Sequence, residues 1–461
     1  AGCGRASDGR PVLAESSSTS NNMDSSPGQT LELDGVGQDR ADGNDTGSVE
    51  ANGGRVDADS RSIQPSGGGA VTGASVRIGS SVLVGKDFVN LAGRTVGIIA
   101  STASVGPEGH IVDLLHSQPD IEVAAVFSPE HGFSADRPSG VAVADDVDPT
   151  TGLTVFSLYG DSYRPTAEML KGIDVLVYDL QDVGARYYTF ISTLGLAMQA
   201  AAEQKIAVMV LDRPNPLGGF LVGGAVAEPG SGSLVSLYPI PTIYGMTVGE
   251  LALAIVGERW LDGLDGLDLS VIPMEGWSRD QLWSDTGLSW TPPSPGLPSP
   301  ESARVYPSVV LFEATTVSFG QGTDRPFSQI GAPWLDAPDL VAELIGLELP
   351  DVEFSAVTFT PEPSPSAPEP RFAHQLIPGV HIEVTGPDYA PLLVGLHLLA
   401  AVQRQSPEPI IDRGLMFDLL VGDRTVRRGL LNGVAPEEIV GSWAAGLTEF
   451  HEVRDRYLLY P

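Results

Sequence analysis

Residues 173–212 read IDVLVYDLQDVGARYYTFISTLGLAMQAAAEQKIAVMVLD. Two short runs rich in Val and Ile enclose a segment whose apolar residues recur at helical spacing, at Tyr187, Ile191, Leu194 and Met198. Buried strands that alternate with helices are typical of sheets whose strands run parallel. The stretch therefore predicts an α/β fold.

Further apolar runs continue this pattern along the chain. The strand-like runs are TVGIIA (95–100), EVAAVF (122–127), TVFSLY (154–159), DVLVYDL (174–180), IAVMVLD (206–212) and DLSVIPM (268–274). Each run is nearly continuously apolar, which indicates that both faces of its strand are buried. We expect a mostly parallel sheet with helices on both faces, and a ligand crevice beyond the carboxyl ends of its strands.

A proline-rich passage, SWTPPSPGLPSP (289–300), ends the alternation, since proline terminates helices and is excluded from central strands. Beyond it the chain combines a loop-rich region with a strand (GVHIEVTG) and helices such as APLLVGLHLLAAVQR. The predicted domains are residues 78–302, with the parallel sheet, and residues 303–461, a smaller α+β domain. We expect the insert TPEPSPSAPEPR (360–371) to be an exposed loop.

Residues 1–77 are rich in Ser, Gly, Asp and Asn and bury too little apolar surface to offset the entropy of ordering, so we predict a disordered tether. The chain opens with AGCG, which resembles the end of a bacterial lipobox. Lipidation of Cys3 would make the protein an extracytoplasmic, membrane-anchored lipoprotein, periplasmic or on the cell surface. The alternative is a chance cysteine in a disordered tail.

Composition narrows the function classes. The 461 residues carry a formal net charge of −33 and include three lysines, which disfavours binding to nucleic acid through a basic surface. A single cysteine excludes disulfides within the chain and zinc sites built from cysteines. No apolar run reaches the length of about 18–20 residues that spans a bilayer.

Common catalytic and nucleotide-binding motifs are absent from the sequence. There is no G-x-x-x-x-G-K-[ST], no G-x-G-x-x-G after a strand, no H-E-x-x-H and no G-x-S-x-G. The groups that remain at or just beyond the predicted strand ends are mainly carboxylates, with one histidine and two arginines nearby: Glu130, Asp179, Asp182, Asp212, His131, Arg186 and Arg213. Because glycosidic cleavage commonly uses two carboxyl groups, this pattern favours a glycoside hydrolase.

Each candidate also has a structural explanation. Glu130 could cap a helix or accept backbone hydrogen bonds in a turn, and His131 could be a hydrogen-bonded structural histidine. Asp182 could cap the following helix, Asp212 could stabilise a turn, and the two arginines could simply pair with these acids. A metal site formed by the three aspartates and His131 is conceivable, but the sequence has no compact ligand spacing. No metal or cofactor is expected.

Seven motifs carry a resemblance to a known family. They are FSPEHGF, TGLTVFSLYG, IDVLVYDLQDVGARYYTFISTL, VLDRPNPLGG, GMTVGELA, GTDRPFSQIGAPW and RDRYLLY, in this order. Over roughly residues 80–461 the chain resembles the exo-β-N-acetylmuramidase family of the NamZ type, formerly domain of unknown function 1343. QDVGARYYT together with LDRPNP is the most specific part of this resemblance.

The resemblance implies a Rossmann-like catalytic domain, a smaller C-terminal domain and an active site in the cleft between them. It implies release of N-acetylmuramic acid from the non-reducing end of peptidoglycan-derived glycans in bacterial cell-wall recycling. The implied catalytic residues are Glu130, as the acid, with His131 and Asp182, and the implied substrate-binding residues are Tyr159, Gln181, Arg186, Tyr188, Asp212, Arg213 and Asn215. Arg186 or Arg213 is expected to bind the lactyl carboxylate of muramic acid. The second catalytic group stays open between a carboxylate and the acetamido group of the substrate.

Five positions depart from the pattern of this family. Ala135, Val141, Tyr244, Gly296 and Gln321 stand where the pattern has Gly, Glu, His, Asn and Arg. Lost polar groups would alter the specificity of the site or leave a glycan-binding lipoprotein without turnover. That binder is the alternative hypothesis, and a metal-dependent hydrolase is a further one.

Overall fold

The computed structural model describes residues 75–228 and 233–461. Cys3 and nearly all of the predicted tether lie outside the described residues. Residues 75–77, which were assigned to the tether, belong to the folded body. Val76 is buried, its N–H donates to the carbonyl of Thr286 at 3.0 Å, and Arg77 forms a β-bridge with Glu275.

The described residues form short strands and helices throughout. The strands are β1 (Thr95–Ala100), β2 (Val105–Gly106), β3 (Gly109–His110), β4 (Glu122–Ser128), β5 (Asp146–Val147), β6 (Thr154–Ser157), β7 (Val175–Asp179), β8 (Ala207–Leu211), β9 (Leu269–Ile272), β10 (Gln329–Gly331), β11 (Val352–Phe359) and β12 (Ile377–Val384). The helices are α1 (Gly79–Gly85), α2 (Ile111–His116), α3 (Phe190–Gln204), α4 (Val248–Gly257), α5 (Pro300–Val309), α6 (Ala337–Ile345), α7 (Pro391–Gln405), α8 (Gly414–Val421), α9 (Arg424–Leu431), α10 (Pro436–Gly441) and α11 (Ala444–Arg454). Trp283–Asp285 and Val310–Ala314 form 3-10 turns.

The central sheet confirms the predicted α/β class. Its seven strands have the order β5-β6-β4-β1-β7-β8-β9, and all neighbours are parallel except β5 and β6. All six runs predicted as strands are strands of this sheet. The chain builds outward from β1 to β4 and β6, then returns to the other side of β1 with β7. The carboxyl ends of β4 and β7 therefore flank the switch point at which α/β sheets bind ligands.

Both faces of the sheet are buried, as the apolar runs predict. Along β7 and β8, alternate residues join different hydrophobic clusters: Leu176 and Val210 belong to one, Val177 and Leu211 to the other. The first cluster includes α3 and α4, and the second includes residues of α1 and α2. This alternation is the period of two that a pleated strand imposes on its side chains.

The helix after β7 begins five residues later than the spacing predicts. The segment with helical spacing, ARYYTFISTLGLAMQAAAEQ, covers residues 185–204, but α3 starts at Phe190. Gly184 has a φ of +75°, and Arg186 N–H donates to the carbonyl of Thr242 at 2.8 Å, so the backbone bonds sideways instead of along a helix. Residues 185–189 therefore lie outside the helix, and Tyr187 and Tyr188 do not belong to its apolar face.

The C-terminal part of the chain packs on this sheet domain. Its three-stranded antiparallel sheet has the order β10-β12-β11 and includes the predicted strand, and the predicted helix is α7. The expected boundary at residues 302 and 303 lies inside α5. One hydrophobic cluster contains Leu194 of α3 and Leu398 of α7 together, so the core continues from the first part into the second.

Arg186 joins the two parts at their centre. The side chain is 1% exposed, and its guanidinium donates to the carbonyls of Leu420 and Val421 at 3.1 and 2.9 Å, at the last turn of α8. It also donates to the carbonyl of Val235 at 3.0 Å. The negative end of a helix dipole stabilises a cation in this position. Burial lowers the pKa of Arg186 to about 10, so the group stays charged at neutral pH.

We expect Arg186→Leu to lower the free energy of unfolding by about 3 kcal/mol or more, because several buried carbonyls would lose their donor. Urea denaturation followed by tryptophan fluorescence measures the change. The matched control is Arg259→Leu, which removes an exposed arginine paired with Asp265 and should change stability by no more than about 0.5 kcal/mol. Equal stabilities of the two variants would show that the α8 contact is dispensable.

Candidate active site

A cavity of about 270 Å³ lies beyond the switch point of the sheet, between the two parts of the chain. We call it the main cavity. Its walls come from the loop after β4 (Glu130, His131, Ser139), from residues 187–189 after β7, from residues 294–297, and from parts of the segments 306–327 and 362–367. The expectation that ligand-binding residues follow the parallel strands therefore holds for β4 and β7.

Glu130 lies in the wall of the main cavity and is 4% exposed. One carboxyl oxygen accepts hydrogen bonds from Gly140 N–H at 2.7 Å and from the hydroxyl of Ser139 at 3.1 Å. The other accepts a bond from the hydroxyl of Thr189 at 2.6 Å. Tyr159, predicted to bind substrate, also hydrogen-bonds this carboxyl and is buried behind it. Donors on both oxygens stabilise the ionised form of a carboxyl group.

His131 adjoins Glu130 in the same wall. Its ring Nδ1 lies 2.8 Å from the carbonyl oxygen of Arg137, which can only accept, so Nδ1 carries a proton and donates it to this carbonyl. The backbone of His131 has a φ of +72° and that of Gly132 +74°, which is a tight turn of two left-handed residues. Glu130 and His131 therefore both belong to a tight turn and line the main cavity.

Aromatic rings form a second wall of the main cavity. Tyr306 meets Tyr187 edge to face at a centroid distance of 5.4 Å and Phe327 at 4.8 Å. Phe327 stacks on Phe319 at 5.0 Å. Tyr188, a predicted substrate-binding residue, also lines the cavity. Because sugar rings bury apolar C–H faces, rigid aromatic surfaces of this kind suit a glycan ligand.

The proline-rich insert also contributes to the main cavity, so the expectation of a simply exposed loop is wrong. Ala367 is 4% exposed, and Glu362 N–H donates to the carbonyl of Gly322 at 2.8 Å, which fixes the loop to the neighbouring segment. Glu362 and Ala367 line the cavity. The Glu362 carboxyl pairs with His374 at 2.7 Å, and both side chains are more than half exposed.

Glu313 is a second acid of the cavity interior that sequence reasoning missed. It belongs to the 3-10 turn Val310–Ala314 and lines the main cavity with Glu130. Burial and the charge of Glu130 raise its pKa to about 7, against the opposing effect of Arg371 and Arg413. The available signal was one acid inside the apolar run VVLFEATTV, since an isolated acid there indicates a buried carboxyl.

Asp182 does not line the main cavity. One of its carboxyl oxygens accepts a 2.8 Å bond from Gly184 N–H, within the turn that follows β7, and a bond from the hydroxyl of Tyr244, in the segment before α4. Burial raises the pKa of Asp182 to about 6, against these hydrogen bonds. Tyr244, where the family pattern has His, is fully buried and is therefore a structural partner of Asp182.

Asp212 and Asn215 connect the loop after β8 to neighbouring backbone, and Asp212 also bonds the C-terminal segment. Asp212 accepts bonds from Gly249 N–H at 2.8 Å, from the hydroxyl of Thr247 at 2.7 Å and from the hydroxyl of Tyr460 at 2.5 Å. Burial raises its pKa to about 6. Asn215 bonds the backbone of residues 217 and 246. The closing motif RDRYLLY thus attaches the C-terminus to the loop after β8, outside the main cavity.

The remaining predicted binding residues also lie outside the main cavity. Arg213 forms a buried ion pair with Asp179, its Nε 2.5 Å from a carboxyl oxygen, and Gln181 donates to two backbone carbonyls. Arg213 and Gln181 line a separate cavity of about 430 Å³. The guanidinium of Arg186 donates its hydrogen bonds to carbonyls at the end of α8. The structure therefore places neither predicted arginine where a ligand of the main cavity would meet it.

Two of the departures from the family pattern line the main cavity. Gly296 and Gln321 belong to its wall, and a β-carbon added at Gly296 would lie 2.7 Å from the ring of Phe327. Phe327 therefore fills the space that a larger side chain at 296 would occupy. Val141 is exposed, and Ala135 has a φ of +56°, a conformation that glycine adopts without strain.

Comparison with known proteins identifies the family. Sequence models of exo-β-N-acetylmuramidase NamZ match the chain along most of its length, the N-terminal domain at residues 96–301 and the C-terminal domain at residues 304–460. The chain belongs to the NamZ family. It is 40% identical, over 389 residues, to the peptidoglycan β-N-acetylmuramidase NamZ of Bacillus subtilis strain 168, with 84% of this chain and 91% of that protein covered.

Two solved structures share the NamZ fold. Both are DUF1343 family proteins of Bacteroides fragilis NCTC 9343. One has a TM-score of 0.77 at 35% identity and the other a TM-score of 0.68 at 31% identity. Each comparison covers 84% of this chain and 99% of the other. The described part of the chain contains no helix long and apolar enough to cross a membrane, and no group of three His, Cys, Asp or Glu side chains arranged around a metal ion.

Proposed function

We propose that this NamZ family member is a glycoside hydrolase that releases N-acetylmuramic acid from the non-reducing end of peptidoglycan fragments. The observation that carries the proposal is Glu130, a buried carboxyl held by hydrogen bonds on both oxygens in the wall of an aromatic cavity. Its position in the PEHGF motif and the 40% identity to a peptidoglycan β-N-acetylmuramidase support the same assignment. Glycosidic cleavage requires such a carboxyl beside the anomeric carbon.

The size and lining of the main cavity suit one terminal sugar. A volume of about 270 Å³ is at the lower end of small-molecule sites, which favours a single residue of a glycan over an extended chain. The departures at Gly296 and Gln321 leave Glu130 and its donors in place. They therefore bear on specificity, while the carboxyl that the reaction needs is retained.

We expect the purified protein to release chromophore from an aryl β-N-acetylmuramide much faster than from the corresponding β-N-acetylglucosaminide. Glu130→Gln should lower kcat/KM by at least about 10³-fold, since a catalytic carboxyl is lost. Asp182→Asn is the matched control, because it neutralises a buried carboxyl at the same sheet edge but outside the cavity. Binding of muropeptides without release by the wild type would favour a glycan-binding protein instead.

Recognition of muramic acid requires a cation for its lactyl carboxylate, and we assign this role to Arg371, which does not line the main cavity itself but contacts two of its lining residues, Phe319 and Glu313. The Arg371 guanidinium lies 5.9 Å from the ring centre of Phe319, which lines the main cavity. One of its nitrogens donates to the backbone carbonyl of Glu313 at 3.1 Å, which leaves further N–H groups for a ligand. A guanidinium supported in this way can bind a carboxylate through two parallel hydrogen bonds.

Arg371→Gln should raise KM for the muramide by about 10-fold or more, the effect of losing one charge-assisted hydrogen bond. Hydrolysis of the glucosaminide, which lacks the lactyl group, should not change, so the ratio of the two kcat/KM values falls. The control is Arg404→Gln, at an arginine that pairs with Glu343 on the surface. An equal loss on both substrates would assign Arg371 a structural role.

We further propose that the protein is an extracytoplasmic lipoprotein anchored through Cys3. The lipobox-like AGCG supports the proposal. An acidic, Ser- and Gly-rich segment between Cys3 and Ser75 would hold the folded body away from the membrane, where peptidoglycan fragments occur.

Expression from its own gene in cells fed an alkyne fatty acid tests the anchor. We expect label on the wild-type protein and its recovery in the membrane fraction. Cys3→Ala should lose the label and move to the aqueous fraction, while Ser7→Ala should behave as the wild type. An unlabelled wild-type protein would exclude lipidation.

A further inference from the structure

Three acids line the main cavity, Glu130, Glu313 and Glu362, and the first two lie in opposite surroundings. Glu130 accepts hydrogen bonds on both carboxyl oxygens, whereas no residue of the described ranges 75–228 and 233–461 donates a hydrogen bond to the carboxyl of Glu313. From this contrast we propose that Glu313 is the second catalytic carboxyl and donates the proton to the leaving oxygen. The inference rests on the proposed function and specifies the chemistry of the same site.

The position of Glu313 is fixed by its neighbours. Phe312 and Ala314 are fully buried, and the backbone carbonyl of Glu313 accepts the bond from Arg371. The backbone is thus held at both sides while the side chain faces the cavity. A carboxyl that is held in place but has no donor from the protein is available to a hydroxyl or ether oxygen of a ligand.

The charged and titratable groups around Glu313 come from several elements. Glu130 after β4 raises its pKa, and burial has the larger effect in the same direction. Arg371 in the proline-rich insert and Arg413 before α8 lower it. Three tyrosines also interact with the charge of Glu313: Tyr159, Tyr187 and Tyr306. The outcome is a pKa of about 7, so that the protonated form is well populated near neutral pH.

In this assignment Glu313 and Glu130 have different roles in the reaction. Glu313 transfers its proton to the glycosidic oxygen as the bond from that oxygen to the anomeric carbon breaks, and the electron pair of the bond stays with the oxygen. The departing sugar leaves with a hydroxyl group, and Glu313 becomes a carboxylate. The ionised Glu130 stabilises the positive charge that develops at the anomeric carbon. Water supplies the oxygen for that carbon and the proton that restores Glu313.

Other groups of the cavity fit the donor role less well. The carboxyl of Glu362 is exposed and already paired with His374. His131 has its Nδ1 proton committed to a backbone carbonyl. Glu130 is the acid that the sequence predicts, but both of its carboxyl oxygens already accept hydrogen bonds from the protein.

The first test uses the wild-type protein and two leaving groups. A disaccharide of N-acetylmuramic acid and N-acetylglucosamine releases a poor leaving group that needs a proton, whereas a dinitrophenyl muramide does not. We expect kcat for the disaccharide to fall as the pH rises through about 7, as Glu313 ionises, and kcat for the aryl substrate to show no such fall. The same alkaline fall for both substrates would overturn the proposal.

The second test compares variants on the same pair of substrates. Glu313→Gln should lower kcat for the disaccharide by about 10²–10⁴-fold and kcat for the dinitrophenyl muramide by less than about 10-fold. Glu130→Gln should impair both substrates. Glu362→Gln, the matched control for the loss of a cavity carboxyl, should keep the wild-type ratio. If Glu313→Gln reduced both substrates equally, its role would be structural.

Different results would overturn the hydrolase function and the donor role of Glu313. Absence of release from any muramide by the wild type overturns the hydrolase function and the donor role with it. Release by the wild type, with a leaving-group dependence that Glu313→Gln does not alter, overturns the donor role alone.

Discussion

The arrangement of the molecule depends on a buried arginine that meets the carboxyl end of a helix. Arg186 has no carboxylate within ion-pair distance among the described residues, and the carbonyls of the last turn of α8 accept its protons instead. Leaving those carbonyls and the cation unpaired would be costly, so the contact holds the loop after β7 against the C-terminal part of the chain. The same loop carries Tyr187, Tyr188 and Thr189 into the main cavity. The loop after β7 therefore supplies both part of the cavity wall and, through Arg186, the contact with the C-terminal part of the chain.

Not every acid with a raised pKa in this chain lies in the candidate active site. Burial raises the pKa values of Asp182, Asp212 and Glu313 alike. One oxygen of Asp182 accepts bonds from Gly184 and Tyr244, and Asp212 accepts a bond from the C-terminal Tyr460, outside the main cavity, whereas Glu313 faces the cavity and has no donor from the described residues. A raised pKa indicates chemistry only where a ligand can reach the group, and cavity geometry supplies that criterion.

The fold could be predicted further than the site. Six strands were recognisable because each contains a nearly continuous apolar run, and that pattern is local. The start of α3 was misplaced because the helical spacing continues through Tyr187, while Gly184 and the bond from Arg186 to Thr242 turn the backbone away. Of the residues expected to contact substrate or act in catalysis, Glu130, His131 and Tyr188 line the main cavity. The others stabilise loops, since polar residues after strands serve both purposes and spacing does not separate them.

By itself, the sequence determined the α/β class, the strand positions, the family and the motif that holds Glu130, because each depends on residues that are neighbours along the chain. Only the tertiary structure decided which acids share a cavity. Glu130 and Glu313 are far apart in sequence and meet because the C-terminal part packs across the carboxyl ends of β4 and β7. The surroundings that distinguish them, hydrogen-bond donors on Glu130 and none on Glu313 from the described residues, come from segments that no local pattern connects. Protonation is set by neighbours in space, so it was the property that only the fold could assign.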